Sequence, residues 1–155
     1  MKVISARLRR IHETFRQPTL YCLGLDIIEQ LLSLQCNELT SLSGGGSLSD
    51  AAGSLQVLDL RCNQFEKLPE EVGSLKGLKV LYLRHNKLKK LPDALGDLGN
   101  LQSLDLSHNN LKDLPAALGR LTKVRTLNLS HNPKLTRLVK QVRRQGSQAR
   151  VVGFF

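Results

Sequence analysis

The chain has 155 residues and a formal net charge of +10; 41% of its residues are apolar and 4% are aromatic, which fits one domain with an aliphatic core. No run of about 18 apolar residues occurs, which excludes a hydrophobic membrane span, and the N-terminus lacks the pattern of a secretory signal. The three cysteines, Cys22, Cys36 and Cys62, are unclustered. They do not indicate a disulfide framework, so we expect a reducing, cytoplasmic setting.

The positive charge is concentrated at the two ends of the chain. Residues 1–28 carry a net charge of +3, residues 29–133 carry +1 and residues 134–155 carry +6. A nucleic-acid-binding surface would carry a basic stripe interleaved with aromatic residues, so no nucleic-acid partner is expected. The basic ends indicate either solvated flanks or a tether to an anionic membrane surface or an acidic partner.

Residues 1–28 are interpreted as an amphipathic helix and its lead-in. Apolar residues recur with helical spacing at Ile4, Leu8, Ile11 and Phe15, and Pro18 ends the pattern. We expect this helix to cover the first of the repeats that follow, because the open end of a stack of repeats needs a cap. The alternative, a helix lying on a membrane surface, requires a larger apolar area than four residues provide.

A 23-residue repeat occupies residues 29–138. Three full copies align at residues 55–77, 78–100 and 101–123; a fourth starts at residue 124, and an earlier, irregular copy precedes them. The alternation in Leu58-Asp59-Leu60 predicts a short strand with its leucines inward, and the short return path makes successive strands parallel. An asparagine follows each strand, and we expect its amide to satisfy backbone groups in the bend. These residues are Asn37, Asn63, Asn86, Asn109 and Asn132.

The second half of each full copy predicts a short helix. It reads Leu-Pro-x-x-apolar-Gly-x-Leu, with acidic residues after Pro69 and Pro92, where the helix dipole favours negative charge. The prolines are expected at the first helical position and the glycines at the helix end. The residues concerned are Pro69, Pro92 and Pro115, and Gly73, Gly96 and Gly119.

The repeat is irregular at both ends. The segment that contains Gly44–Gly46 lengthens the first copy to 26 residues and predicts a mobile loop on the convex side. In the last copy Val139 takes the place of the proline, and residues 139–155 are interpreted as a basic helix and tail. This helix is either a terminal cap or a sign that the chain is a fragment or isoform of a longer repeat protein.

The pattern Leu-x-x-Leu-x-Leu-x-x-Asn-x-Leu runs through the three full copies, with Phe65 at its last place in the first copy. It resembles the leucine-rich repeat family. The resemblance implies a right-handed α/β solenoid of about five rungs, with parallel strands on the concave side and short helices on the convex side. The Leu-Pro-x-x-apolar-Gly form is similar to intracellular scaffolds of the Ras-group, Scribble and Erbin class. It implies a non-catalytic signalling module that binds another protein, such as a small GTPase or a phosphatase subunit.

The outward-facing strand residues are the candidate partner-binding site, and we expect them to have no role in the core. Tyr82 beside Arg61 and Arg84 is typical of a binding hot spot. The alternative is a solvated polar surface without a partner. One predicted column contains Asp59, Tyr82, Asp105 and Asn128, a second contains Arg61, Arg84, Ser107 and Ser130, and Lys87 extends the basic part.

Neither catalysis nor a cofactor is expected. One column precedes the asparagines and contains Cys36, Cys62, His85, His108 and His131, whose residue types suit zinc. Rungs spaced by about 4.8 Å place these residues in a line, whereas a tetrahedral zinc site needs converging ligands. An open sheet that lacks a nucleophile and base in an enclosed pocket also provides no catalytic residue.

Overall fold

The computed structural model describes residues 4–5, 31–42, 52–135 and 150–152, the first and last of these ranges by their backbone only. Within these ranges, seven strands form one parallel sheet in chain order. The strands are β1 (Ile4–Ser5), β2 (Leu31–Ser33), β3 (Val57–Asp59), β4 (Val80–Tyr82), β5 (Ser103–Asp105), β6 (Thr126–Asn128) and β7 (Arg150–Val152).

Neighbouring strands pair in the register that the repeat predicts. Asp59 is the partner of Tyr82, and Tyr82 is the partner of Asp105. The inward residues pair in the same way, Leu58 with Leu81 and Leu81 with Leu104. Equivalent residues of successive copies therefore form straight columns across the sheet, as expected.

The inward leucines form the core. Leu58 and Leu81 are fully buried, and Phe65 fills the place of the last leucine in its copy with no exposed surface. Burying a leucine or phenylalanine side chain stabilises a fold by about 1.5–3 kcal/mol, so these buried side chains favour stacking of the rungs. The expected α/β solenoid is confirmed, with five rungs built on β2 to β6.

The asparagines connect each rung to the one before it. The Nδ2 atom of Asn86 donates to the carbonyl oxygens of Leu60 (2.9 Å) and Leu83 (3.0 Å), and its Oδ1 atom accepts the Phe65 N–H (3.1 Å). These backbone groups lie in the bend, where no strand partner is available to them. The predicted structural role is confirmed, and the same arrangement recurs at Asn63, Asn109 and Asn132.

The helical segments are 3₁₀ helices, and the prolines and glycines occupy different places from those predicted. Three such helices occur among the described residues, at Glu70–Ser74, Asp93–Asp97 and Ala116–Arg120. Each proline lies at the N-cap in an extended conformation, and each glycine lies inside the helix as its fourth residue. The acidic residues are in the first turn of the first two helices, as predicted.

The glycines allow the helices of neighbouring rungs to approach each other closely. A Cβ atom added at Gly96 would lie 2.3 Å from the carbonyl oxygen of Ala117, and one added at Gly73 would lie 2.6 Å from that of Ala94. Both distances are shorter than any real contact of a Cβ atom. Close packing, and not helix termination, is therefore the reason for glycine at these two positions.

Short strands extend the sheet beyond the repeats at both ends. Ile4 and Ser5 pair with Leu32 and Ser33, so the predicted N-terminal helix does not include these two residues. At the other end, the strand Arg150–Val152 pairs with β6. Each added strand pairs with the N–H and C=O groups that the outermost strand of the repeats would otherwise leave unpaired. A helix packed on the edge would not form these backbone hydrogen bonds. The rest of the predicted cap, the glycine-rich loop at residues 43–51 and the segment 136–149 lie outside the described residues.

Candidate functional site

The concave face, defined as the outward-pointing side chains of β2 to β6 and of the two residues that follow each strand, is centred on Arg61 and Tyr82. The Arg61 Nε and Nη2 atoms donate to the Asp59 Oδ1 and Oδ2 atoms at 2.9 and 2.7 Å. The Nη2 atom also donates to Gln35 Oε1 at 3.1 Å. The guanidinium carbon lies 5.0 Å from the centroid of the Tyr82 ring, within the range of a cation–π interaction.

Asp59 is a buried structural residue. It is 5% exposed, and its Oδ1 atom also accepts the N–H of Arg61 at 3.1 Å. Hydrogen bonding to this carboxylate raises the pKa of Arg61 further above its usual value. The expectation that Asp59 has no role in the core is therefore wrong, because its carboxylate holds the backbone and the side chain two residues later.

In β5 and β6 the polar residue at the strand end likewise accepts hydrogen bonds from the residue two positions later. Asp105 Oδ1 accepts the N–H and the hydroxyl of Ser107, at 3.0 and 2.7 Å. Asn128 Oδ1 accepts the corresponding groups of Ser130, at 3.1 and 2.9 Å. Ser107 is 1% exposed. The expectation that these residues have no role in the core is wrong for Ser107, which is buried. In both strands an oxygen acceptor at the strand end satisfies the first N–H group of the bend.

Tyr82 and Arg84 remain available for binding. Tyr82 takes the place that an Asp or Asn occupies in β3, β5 and β6, and its ring is partly exposed. Arg84 is exposed, and no described residue provides a hydrogen-bond or ionic partner for its guanidinium. Lys87 donates instead to Gln64 Oε1 at 3.1 Å, beyond the bend. The sequence-predicted residues that the structure brings together as an accessible group are therefore Arg61, Tyr82 and Arg84.

An apolar column on the same face was not among the predicted site residues. Val57 and Val80 are the first residues of β3 and β4, pair with each other, and are half-buried. They lie two residues before Asp59 and Tyr82 and therefore on the same side of the sheet. The column continues to Leu31 on one side and changes to polar Ser103 on the other. The strand alternation that places Tyr82 on this face could have identified both valines.

The residues before the asparagines share a left-handed backbone, with φ between 54° and 56° at Cys36, Cys62, His85, His108 and His131. Histidine is among the residues that adopt this conformation more often than others. The rings of His85 and His108 stack at 4.2 Å, and those of His108 and His131 at 3.9 Å. Burial in the stack lowers the pKa of His108, and the charges of its neighbours His131 and His85 act in the same direction.

The described residues contain no group of three or more His, Cys, Asp or Glu side chains that could hold a metal ion. Stacked imidazole rings lie face to face along the column, whereas ligands of one zinc ion converge on a point. Among the same residues, no helix has the length and apolar character to span a membrane. The basic flanks, on which the membrane-tether alternative depends, lie largely outside the described residues, so that alternative stays a prediction.

The family follows from comparison with known proteins. The model of the leucine-rich repeat family matches residues 53–111 and 92–134, which together cover more than half of the chain. The chain belongs to the leucine-rich repeat family. A solved leucine-rich repeat protein from Leptospira interrogans is 32% identical to it, with a TM-score of 0.71. The match covers 79% of this chain and 30% of that protein, so this leucine-rich repeat chain spans about a third of the other's length.

Comparison with curated proteins gives no match. The segments matched by the leucine-rich repeat model run through β3 to β6. They include Arg61, Tyr82 and Arg84, so the accessible group of the concave face lies within the repeats that define the family.

Proposed function

We propose that this chain is a non-catalytic protein-interaction module that binds its partner on the concave face around Tyr82 and Arg84. The observation that carries the proposal is the exposed Arg84 guanidinium, which has no partner among the described residues and lies two residues after a partly exposed tyrosine. Tyrosine and arginine contribute most of the binding energy in many interfaces. Membership of the leucine-rich repeat family supports the proposal, because solenoids of this kind present extended binding surfaces.

The chemistry of the face defines the partner. Asp59, one of the two carboxylates on the strands that flank Tyr82, is neutralised by two hydrogen bonds from Arg61, so it does not oppose an anionic ligand. Arg84 then provides a free positive charge, and Val57 and Val80 provide half-buried apolar surface on the neighbouring positions. The face therefore suits a protein that presents an acidic side chain next to an apolar one.

The cellular role that we propose is assembly of a signalling complex in the cytoplasm. Its support is the resemblance of the Leu-Pro-x-x-apolar-Gly repeats to intracellular scaffolds, which also suggests a small GTPase or a phosphatase subunit as the partner.

Quantitative affinity capture from a cytosolic extract tests the binding face. The immobilised chain is compared with Tyr82→Ala, with Arg84→Glu, and with Lys112→Glu, which makes the same charge change at an exposed residue outside the strands. We expect the wild type and Lys112→Glu to recover equal amounts of a partner protein. With Arg84→Glu the recovered amount of that protein should be at least about tenfold lower, as for a hot-spot residue. Equal recovery with all four proteins would remove the concave face from the account.

A further inference from the structure

Two thiols lie next to each other at the edge of the concave face. Ser33 of β2 is paired with Asp59 of β3. Cys36 lies three residues after Ser33 and Cys62 three residues after Asp59, so the two cysteines occupy equivalent places on neighbouring rungs. Both are exposed, and neither is part of a disulfide. Partial burial and the neighbouring Cys36 thiol raise the pKa of Cys62.

The backbone holds the two cysteines in the same orientation. Their φ angles are 56° and 55°, and each N–H continues the ladder to the next rung, with Cys36 donating to Arg61 at 2.9 Å and Cys62 donating to Arg84 at 3.0 Å. Neighbouring strands are about 4.8 Å apart, and the two Cα atoms of a disulfide are about 4.4–6.8 Å apart. The spacing of neighbouring rungs therefore lies within the range of Cα separations that a disulfide spans.

We propose that Cys36 and Cys62 form a dithiol site that a low-molecular-weight disulfide, such as glutathione disulfide, converts into a cross-link between the first two rungs. In the first step one cysteine thiolate attacks a sulfur of glutathione disulfide, forms a mixed disulfide and releases a glutathione thiolate. In the second step the other cysteine thiolate attacks the protein sulfur of the mixed disulfide and releases the second glutathione. Two protein thiols are oxidised, one glutathione disulfide is reduced to two glutathione molecules, and the two thiol protons pass to them.

Two consequences of the site follow from its surroundings. Because the pKa of Cys62 is raised, less of its thiolate is present at neutral pH than for an ordinary cysteine, and cross-linking becomes faster as the pH rises. The cross-link would also join the irregular first repeat to the regular ones, across the residues 43–51 that separate them. It would leave Arg84 and Tyr82 in place, because their rung is not part of it.

The test uses the 155-residue chain with Cys22→Ser, so that Cys36 and Cys62 are the thiols present. The reduced protein is incubated with glutathione disulfide, quenched with acid, and examined by intact mass and by mapping of disulfide-linked peptides. We expect an internal disulfide between residues 36 and 62 without retained glutathione. We also expect it to form at least about tenfold faster in the folded chain than in guanidinium chloride, because the fold raises the effective concentration of the two thiols.

Two variants in the Cys22→Ser background control for distance and for the second thiol. Cys62→Ser is expected to stop at the mixed disulfide with glutathione. Cys62→Ser combined with His85→Cys places the thiols two rungs apart, in the same column, and is expected to retain two glutathione molecules instead of closing. The proposal is overturned if the Cys22→Ser protein retains two glutathione molecules, or if it closes no faster when folded than when denatured.

Discussion

Arg61 covers one face of the Tyr82 ring, with its guanidinium carbon 5.0 Å from the ring centroid. Two hydrogen bonds from Arg61 to Asp59 fix the guanidinium in that position. A tyrosine held in this way loses little conformational freedom when a partner packs on its other face, and this reduces the entropic cost of binding. The buried carboxylate of Asp59 therefore helps, through Arg61, to hold the partly exposed Tyr82 ring in place for a partner.

Asp59→Ala is expected to destabilise the fold by about 1–3 kcal/mol, because it removes the acceptor of the Arg61 N–H and of its side chain. Asp59→Asn should cost less, since an amide oxygen can accept the same N–H, as Asn128 does for Ser130 in β6. Urea unfolding of the three proteins measures the difference. Equal losses for the two variants would show that the charge, and not the backbone acceptor, is the main contribution.

Asn86→Ala is expected to lower the free energy of unfolding by about 1–3 kcal/mol, since the buried Phe65 N–H loses its acceptor. The Leu60 and Leu83 carbonyl oxygens each keep one other asparagine donor. Asn110→Ala is the control, because Asn110 is exposed and lies one residue after the equivalent asparagine of the next rung. Its effect should be within about 0.5 kcal/mol of zero. A small effect of Asn86→Ala would contradict the structural role assigned to the asparagines.

Gly96→Ala is expected to destabilise the chain by about 1–3 kcal/mol, as its Cβ atom would lie 2.3 Å from the Ala117 carbonyl oxygen and would push two rungs apart. At Gly99 an added Cβ atom meets no atom within 4 Å, so Gly99→Ala should be neutral or slightly stabilising. Thermal unfolding monitored by circular dichroism compares them. The packing explanation fails if both substitutions have the same effect.

The free energy of unfolding is expected to decrease as the pH falls below about 6.5, the usual pKa of histidine. The pKa of His108 is lowered in the fold, so the unfolded chain binds this proton more readily than the folded chain does. The stability is therefore fully present above the unfolded pKa and is lost as the pH falls through the folded one. The free energy of unfolding, measured with urea at several pH values between 7 and 5.5, should decrease less steeply with falling pH for His108→Asn than for the wild type. The same dependence on pH in both proteins would exclude a contribution from His108.

Much of the fold was predictable from the sequence because the leucines and asparagines act through the repeat alone. Leu58 and Leu81 face the core by strand alternation, and Asn86 follows a strand whose end leaves backbone groups unpaired. Each of these roles depends on the spacing within one copy. The register of Asp59 with Tyr82 then follows from the constant step of 23 residues.

Features that depend on which side chain occupies a given place in a particular copy were not predictable. The packing role of Gly96 depends on Ala117 in the next rung, and the burial of Asp59 depends on Arg61 folding back over it. Within the candidate site, the sequence placed Tyr82 and Arg84 correctly on one face. Arg84 and Ser107 lie in the same column, and the sequence did not distinguish them. The Ser107 hydroxyl donates a hydrogen bond to Asp105, whereas the Arg84 guanidinium has no partner among the described residues.

The claim on which the functional account depends is that a partner protein contacts the concave face. Photo-cross-linking tests it directly, with p-benzoylphenylalanine introduced in place of Tyr82 and, in a second protein, in place of the exposed Glu71 on the helical side. We expect a covalent adduct with a cytosolic protein from position 82, which Arg84→Glu abolishes, and no such adduct from position 71. An adduct formed only from position 71, or one from position 82 that is unaffected by Arg84→Glu, would show that the partner does not bind on the concave face.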